Sequence, residues 1–309
     1  MSNTHKFVKE SYTLSTQQDN FVPDINIAFA IDKNYLRPCG VTLFSITEHN
    51  KDLNIDFYIF TTFFDRFGYD EILANNPNIR IHVYILDTQA YDGLQVNGHF
   101  TTAIYYRLSI ANILENKLEK ILYLDADILC TSCIKEINNI NLKNKIIAGV
   151  EERWLDKNHL KSIGLPISHQ YFNSGVMLIN IPLWNENKIL EEFNKHINRC
   201  SYKFPDQDVL NLILTNKIEY INEKFNFFSN DPKVFPIFTH YLSSPKPWSA
   251  SATNNINYLK YYKKSPWGNI PLDPPKTRKE IRKYSHILWN KKNVIQSIKW
   301  FLKYLITKK

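Results

Sequence analysis

Glycine is scarce in this chain, eight among 309 residues, and none of the eight falls into a GxGxxG or GxxxxGK[ST] spacing. A glycine loop of backbone N–H groups is therefore excluded as a phosphate cradle, so the charge of any bound diphosphate must be met by side chains or by a cation. Cysteine is scarce too. Of the four, Cys39 and Cys200 stand alone and Cys130 with Cys133 makes a single CxxC. A disulfide framework or a four-ligand zinc site needs more than this, so the CxxC reads as a pair of strand-end cysteines in a reducing compartment. No window holds eighteen uninterrupted apolar residues, and Met1 to Lys6 leads into a polar segment rather than an apolar signal core. A membrane-spanning helix is not expected, and the expected compartment is the cytoplasm.

What the chain does have is enough apolar side chain, 44% of residues, to bury a large core. Its net charge of +8 is unevenly spread: Lys276 to Lys309 contains eleven Lys or Arg against Glu280 alone, +10, which leaves −2 for the rest. A basic tail on a near-neutral body predicts an anionic surface met by the tail, not a body that wraps nucleic acid. Within the tail, Lys292, Gln296, Lys299 and Lys303 share one helical stripe, while Val294, Ile295, Ile298, Phe301, Leu302, Leu305 and Ile306 fill the opposite side. At ~1.5 Å per residue such a helix is too short for a ~30 Å hydrocarbon core. It is expected to lie on an anionic membrane or pack on protein, with Trp300 and Tyr304 suited to the interface.

Along the body, residues 1–24 are polar and read as an arm or edge element. Apolar runs at Ile25–Ile31, Ile55–Phe60, Ile79–Leu86, Lys120–Leu124, Ile146–Val150 and Tyr171–Asn180 read as strands. Helical stretches are expected near Val41–Glu48, Arg66–Ala74, Tyr105–Leu118 and Trp184–Ile197, with another from Asp206 after Pro205. Alternation of this kind predicts an α/β layered domain with a largely parallel sheet and ligands at the carboxyl ends of its strands. Pro232 to Pro275 holds eight of fourteen prolines and reads as turns and irregular connections.

Candidate chemistry begins at Ile121-Leu122-Tyr123-Leu124-Asp125-Ala126-Asp127-Ile128-Leu129. If this run is a strand, Asp125 and Asp127 project to one side and share a small volume. At roughly 4–5 Å and an effective dielectric of about 20, their repulsion is about 3–4 kcal/mol, which a hard divalent cation would neutralise. At the end of the first strand, Phe29-Ala30-Ile31-Asp32-Lys33-Asn34-Tyr35 offers a carboxylate, an amide and a ring. Such a group can read a nucleobase and ribose, although on these residues alone an Asx turn is the favoured account. Arg107 and Lys246 are placed to meet phosphate oxygens, and His240 to complete a carboxylate metal site.

In this order, FAIDKNY (29–35), YYRL (105–108), LYLDADIL (122–129), YFNSGVMLIN (171–180), FPDQDVLN (204–211) and HYLSSPKPW (240–248) resemble glycosyltransferase family 8, the retaining sugar-nucleotide transferases of GT-A fold. Tyr261-Tyr262-Lys263-Lys264-Ser265-Pro266-Trp267 and the basic tail are similar to the C-terminal region of bacterial lipopolysaccharide core glucosyl- and galactosyltransferases. The resemblance implies a GT-A fold with a mixed, largely parallel sheet and a helical basic extension. It divides the chain into an arm (1–24), a catalytic domain (25–272) and a membrane-association region (273–309). It further implies transfer of hexose from UDP-glucose or UDP-galactose to a lipopolysaccharide core sugar, on the inner face of the bacterial inner membrane. Asp125, Asp127 and His240 would hold Mn2+ or Mg2+; Ala30, Asp32, Asn34 and Tyr35 would line the uridine pocket, and Lys246 would meet phosphate. Arg107, Asn173, Asp125, Asp206 and Gln207 would face the donor sugar, Gln207 beneath the anomeric carbon and Asp206 the alternative nucleophile. The chain departs from the family pattern at Ser243, commonly glycine, at Ser249, often histidine, and at Glu151, where aspartate can stand. Read from residues alone, two other classes fit parts of the chain: a haloacid-dehalogenase-like phosphatase with an aspartate nucleophile, and a membrane-surface binding module.

Overall fold

Runs of Ile, Val and Phe that are apolar on both faces belong in the middle of a covered sheet. In a computed structural model that describes residues 6–16, 21–94, 101–229 and 231–307, the strands are β1 (Val8–Leu14), β2 (Ile25–Ala30), β3 (Ile55–Thr61), β4 (Ile79–Leu86), β5 (Lys120–Leu124), β6 (Ile128–Cys130), β7 (Ile147–Glu151), β8 (Phe172–Asn180), β9 (Ile218–Tyr220) and β10 (Phe238–His240). Eight of them form one sheet in the order β1-β4-β3-β2-β5-β8-β7-β9, and β10 pairs with β6 in a second, small one. β3 is buried at every position and β8 at all but its last. The pairs β4/β3, β3/β2, β2/β5 and β7/β9 are parallel, while β1/β4, β5/β8 and β8/β7 are antiparallel. The sheet is thus mixed and mainly parallel, as expected. The polar segment near the amino end supplies β1, an edge strand whose exposed Lys9, Glu10 and Ser11 discourage further pairing.

Two helical expectations need correction. Tyr105–Leu118 is a 3-10 stretch, Thr102–Ser109, followed by one α turn, Ile110–Ile113. Thr102, Ile104, Tyr105 and Tyr106 are poor helix formers, and Tyr105, Tyr106 and Arg107 are buried in succession, which a one-sided α-helix cannot do. The stretch Trp184–Ile197 is two helices, Ile181–Glu186 and Ile189–Ile197, broken where Lys188 takes a left-handed φ of 51°. The other helices of the body that bear on function are Leu36–His49 and Pro205–Ile213, the latter with Pro205 at its first turn.

Contacts divide the chain into two units, Met1–His240 and Tyr241–Lys309. The second is built on aromatic packing, with Trp248, Tyr258, Tyr262 and Trp267 all buried. Its last two helices are Arg278–Asn290 and Val294–Ile306. Thr277 caps the first by accepting from the backbone N–H of Glu280, which gives that helix a defined start inside the basic segment. The pair is held together by Tyr284 edge-on to Trp300, with centroids 5.2 Å apart, and by the Ser297 hydroxyl donating to the Ser285 carbonyl at 2.8 Å.

Candidate active site

The acidic pair sits where β5 gives out. The strand stops at Leu124, where the apolar run ends, and resumes as β6 at Ile128, so Asp125-Ala126-Asp127 is a turn between strands. Two anchors hold this turn. The Asp125 N–H donates to Gly175 O of β8 at 2.8 Å, and the Thr42 hydroxyl of helix Leu36–His49 lies 3.1 Å from Ala126 O and 2.6 Å from Ile128 O. Pairing of β6 with β10 then sets His240 opposite Ile128, one residue from Asp127. One ligand atom from each of Asp125, Asp127 and His240 falls within 4.8 Å of the others. His240 Nε2 is 3.0 Å from Asp127 Oδ1 and 3.8 Å from Asp125 Oδ2.

The residues present fit a divalent cation. Two hard carboxylates and an imidazole are a donor set for Mn2+ or Mg2+, and the floor beneath them has no room for another carbon. A Cβ at Gly175 would lie 2.2 Å from His240 Cε1 and 2.9 Å from Asp125 Oδ2. His240 is 4% exposed, and its Nδ1 meets Asn226 Oδ1 at 2.9 Å. An amide oxygen can only accept, so this bond holds the proton on Nδ1 and turns Nε2 toward the carboxylates.

Arg107 ties this turn to helix Pro205–Ile213. Its guanidinium is 2.9 Å from Asp125 Oδ1 and 3.3 Å from Asp206 Oδ2, and it donates to the Ser174 carbonyl at 3.2 Å. Tyr123 donates its hydroxyl to the same Asp125 Oδ1 at 2.6 Å and lays its ring 4.8 Å from the guanidinium carbon. Asp125 therefore spends Oδ1 on Tyr123 and Arg107 and keeps Oδ2 for the His240 side. Burial works against the Arg107 charge, but the neighbouring Asp125, Tyr123 and Asp206 outweigh it and hold the guanidinium protonated. Burial raises the Asp206 carboxyl above the usual range, with Arg107 opposing.

A run of amides completes the site. Gln207 Oε1 accepts from the Ser174 N–H at 2.9 Å and its Nε2 donates to Glu152 Oε2 at 3.0 Å. Asn173 Nδ2 donates to the same Glu152 Oε2 at 3.0 Å, while its Oδ1 accepts from the Gly175 N–H at 3.1 Å and from Asn226 Nδ2 at 2.9 Å. The strand that carries Asn173, Ser174 and Gly175 is bent there. Its register against β7 jumps from Met177 opposite Gly149 to Asn173 opposite Val150, an irregularity that re-aims side chains.

Of the residues singled out from sequence, Asp125, Asp127, His240, Arg107, Asn173, Asp206 and Gln207 are joined in this one network. Ala30 ends β2, and Asp32 caps the short turn after it, accepting from Asn34 N–H at 2.8 Å and from the Thr101 hydroxyl at 3.2 Å. The Asx turn is therefore present, with both Asp32 carboxylate oxygens accepting from the protein. The Tyr35 phenol is raised first by burial and then by the charges of Asp127, Asp125 and Asp32, which puts it in the electrostatic reach of the acidic turn. Lys246 belongs to the second unit, where its ammonium donates to Tyr241 O at 2.9 Å. Sequence reasoning passed over Glu152, Ser174 and Asn226. Only Glu152 carried a signal, as a carboxylate just past the carboxyl end of β7. A pocket beside Asn226 is lined by Val150, Glu151, Arg153, Trp154, Glu223 and Phe228, among others.

Comparison with known proteins gives a consistent result. The family model for glycosyl transferase family 8 matches residues 26–252, and that for the glycosyl transferase family 8 C-terminal region matches residues 254–308. A lipopolysaccharide 1,3-galactosyltransferase of Salmonella typhimurium is 32% identical over 95% of this chain and 93% of its own length. The lipopolysaccharide glucosyltransferase WaaO of Escherichia coli is 30% identical over 92% and 91%. Among solved structures, galactosyltransferase LgtC, in complex with donor and acceptor sugar analogues, superposes with a TM-score of 0.69 at 23% identity, over 78% of this chain and 96% of that one. The mixed sheet is that of the GT-A fold.

Proposed function

The chain belongs to glycosyl transferase family 8, and on that premise we propose that it moves a hexose from UDP-glucose or UDP-galactose to a sugar hydroxyl of a lipopolysaccharide core, with retention at the anomeric carbon. The observation that carries this reading is the junction of two constellations through Arg107. A set that could hold a cation, Asp125, Asp127 and His240, is tied by this guanidinium to Ser174, which lies beside Asn173 and whose N–H donates to Gln207. The first suits a diphosphate and the second suits sugar hydroxyls. The phosphatase alternative has no place in a chain whose residues 26–252 match this family.

A divalent cation bound at the first set would supply Lewis-acid stabilisation of the charge developing on the departing diphosphate. Asp125 and Asp127 would hold it together with His240, whose Nε2 is turned inward by Asn226. Beneath the sugar, Gln207 is a poor nucleophile, and Asp206 is spent on Arg107 and on the Ser174 hydroxyl at 3.4 Å. We therefore favour displacement on one face, in which the leaving phosphate helps deprotonate the incoming hydroxyl. Glu151 and the exposed Trp154, which line the pocket beside Asn226, suit the acceptor sugar by hydrogen bonding and stacking.

The tail supports placement at a membrane surface. Only Ser297 of helix Val294–Ile306 is buried, whereas Ile295, Ile298, Leu302, Leu305 and Ile306 are at least half exposed. An apolar face left this exposed among the described residues, flanked by Lys299 and Lys303, fits an anionic leaflet, where each basic residue contributes about 1 kcal/mol. No helix among the described residues is long and apolar enough to cross a membrane. The reading places the protein on the cytoplasmic face of the inner membrane.

Two experiments test it. UDP release from a panel of nucleotide sugars should be fastest with UDP-glucose or UDP-galactose, and equal indifference to all donors would refute the donor class. Vesicles containing phosphatidylglycerol should sediment with the native protein and not with one carrying Ile298→Ser, Leu302→Ser and Leu305→Ser; equal sedimentation would refute the tail's role.

A further inference from the structure

The charges around the amide set do not cancel. Arg107 pairs with Asp125 and with Asp206, so those two carboxylates share one buried guanidinium. Glu152 is different. Its Oε2 is held only by two neutral amides, Gln207 Nε2 and Asn173 Nδ2, each at 3.0 Å, and among the described residues no cation lies in ion-pair range of it. A half-buried carboxylate held by neutral amides has no counter-charge paired with it, and its field is directed along those amides.

The orientation of the Gln207 amide follows. A backbone N–H can only donate and a carboxylate can only accept, so Gln207 must turn its oxygen to Ser174 and its nitrogen to Glu152. The same logic directs the oxygen of Asn173 to Gly175 and its nitrogen to Glu152. An amide whose N–H groups face a carboxylate is polarised, and electron density gathers on its oxygen. A dissociative glycosyl transfer develops positive charge at the anomeric carbon, as in other oxocarbenium-like displacements. Prearranged negative potential at that place stabilises the transition state and leaves ground-state binding almost unchanged.

We propose that Glu152 is a positioning residue for this transfer: through Gln207 and Asn173 it fixes the amides that face the donor sugar and supplies the negative field that the developing positive charge requires. The inference rests on the reading of the site as a UDP-hexose transferase. It adds a residue outside every motif from which that reading began.

The test uses the full-length protein and two variants, Glu152→Gln, which keeps an acceptor oxygen and loses the charge, and Glu152→Asp, which keeps the charge. UDP release is followed with UDP-glucose and UDP-galactose, and UDP binding and thermal melting are measured alongside. Glu152→Gln should lower kcat by about tenfold or more, with donor KM and UDP affinity within about twofold of native, because the lost term acts in the transition state. Glu152→Asp should restore part of the rate. A Glu152→Gln variant with native kcat overturns the proposal, as does one whose UDP affinity and melting temperature fall in step with its kcat, which is the mark of a merely structural residue. A native protein that releases UDP from no hexose donor refutes the functional reading instead, and the role of Glu152 with it.

Discussion

Replacing Gly175 by alanine perturbs the site at its floor, and the size of the perturbation follows from distances. Gly68, Gly93 and Gly164 have positive φ, but Gly175 does not, so its backbone would accept a side chain without strain. Space is what it lacks. The added carbon would lie 2.2 Å from His240 Cε1 and 2.9 Å from both His240 Nδ1 and Asp125 Oδ2. Ordinary carbon contact is ~3.5 Å, so the ring must retreat by more than about 1 Å. It cannot do so alone, because Nδ1 is bonded to Asn226 at 2.9 Å and Nε2 faces Asp127 at 3.0 Å. Overpacking of this kind costs about 1–3 kcal/mol of stability. A 1 Å misplacement of a reacting group costs on the order of a hundredfold in rate. The control is Gly164→Ala, where φ is +85° and nothing lies within 4 Å of the added carbon. Left-handed strain there costs a similar ~1–2 kcal/mol but leaves the site untouched. The assay is Mn2+-dependent UDP release, with thermal melting beside it. Both variants should melt several degrees lower, and only Gly175→Ala should lose about a hundredfold or more of its activity. A Gly175→Ala protein within twofold of native turnover would refute the reasoning.

Two further outcomes follow from the same contacts. Asn226→Ala removes the acceptor that turns His240, and cation-dependent UDP binding should weaken by about ten- to a hundredfold in calorimetry; unchanged binding would contradict the orientation given to that ring. The carboxyl of Asp206 is raised above 3.8, so the folded chain binds its proton more tightly than the unfolded chain does. Stability contributed by that group therefore falls as pH rises from 3.8 through the folded value and stays low above it, which makes the ionised form a net cost at neutral pH. Asp206→Asn should melt no lower than native at pH 7 while losing activity, and a drop of several degrees would show that its pairing with Arg107 outweighs the burial.

The strands were legible because their signal is local. β4 and β5 fall where the apolar runs place them, and β2, β3, β7 and β8 fall within a residue. The helices were less so. Arg107 sits in a 3-10 stretch because burying three successive side chains overrides the period that predicts an α-helix. Asp125 and Asp127 were legible as a pair, but the turn that carries them depends on Gly175 and Thr42, and no rule of spacing connects those residues. Glu152 and Asn226 lay outside the motifs for the same reason. Each matters through partners far along the chain, Gln207 for one and His240 for the other, and only the fold brings those partners together. The exposure of the last helix was a further gain from the structure, since sequence periodicity gives an apolar face without saying whether anything covers it.

The central claim is that Asp125, Asp127 and His240 hold a divalent cation through which UDP is bound. The most direct measurement is calorimetric titration of UDP into the chelator-treated full-length protein, with and without added Mn2+, repeated on Asp127→Asn. The account predicts binding to the native protein when Mn2+ is present, and at least about a hundredfold weaker binding both without the metal and in the variant. Equal affinity in chelator, or an Asp127→Asn protein that binds UDP as the native chain does, would contradict it.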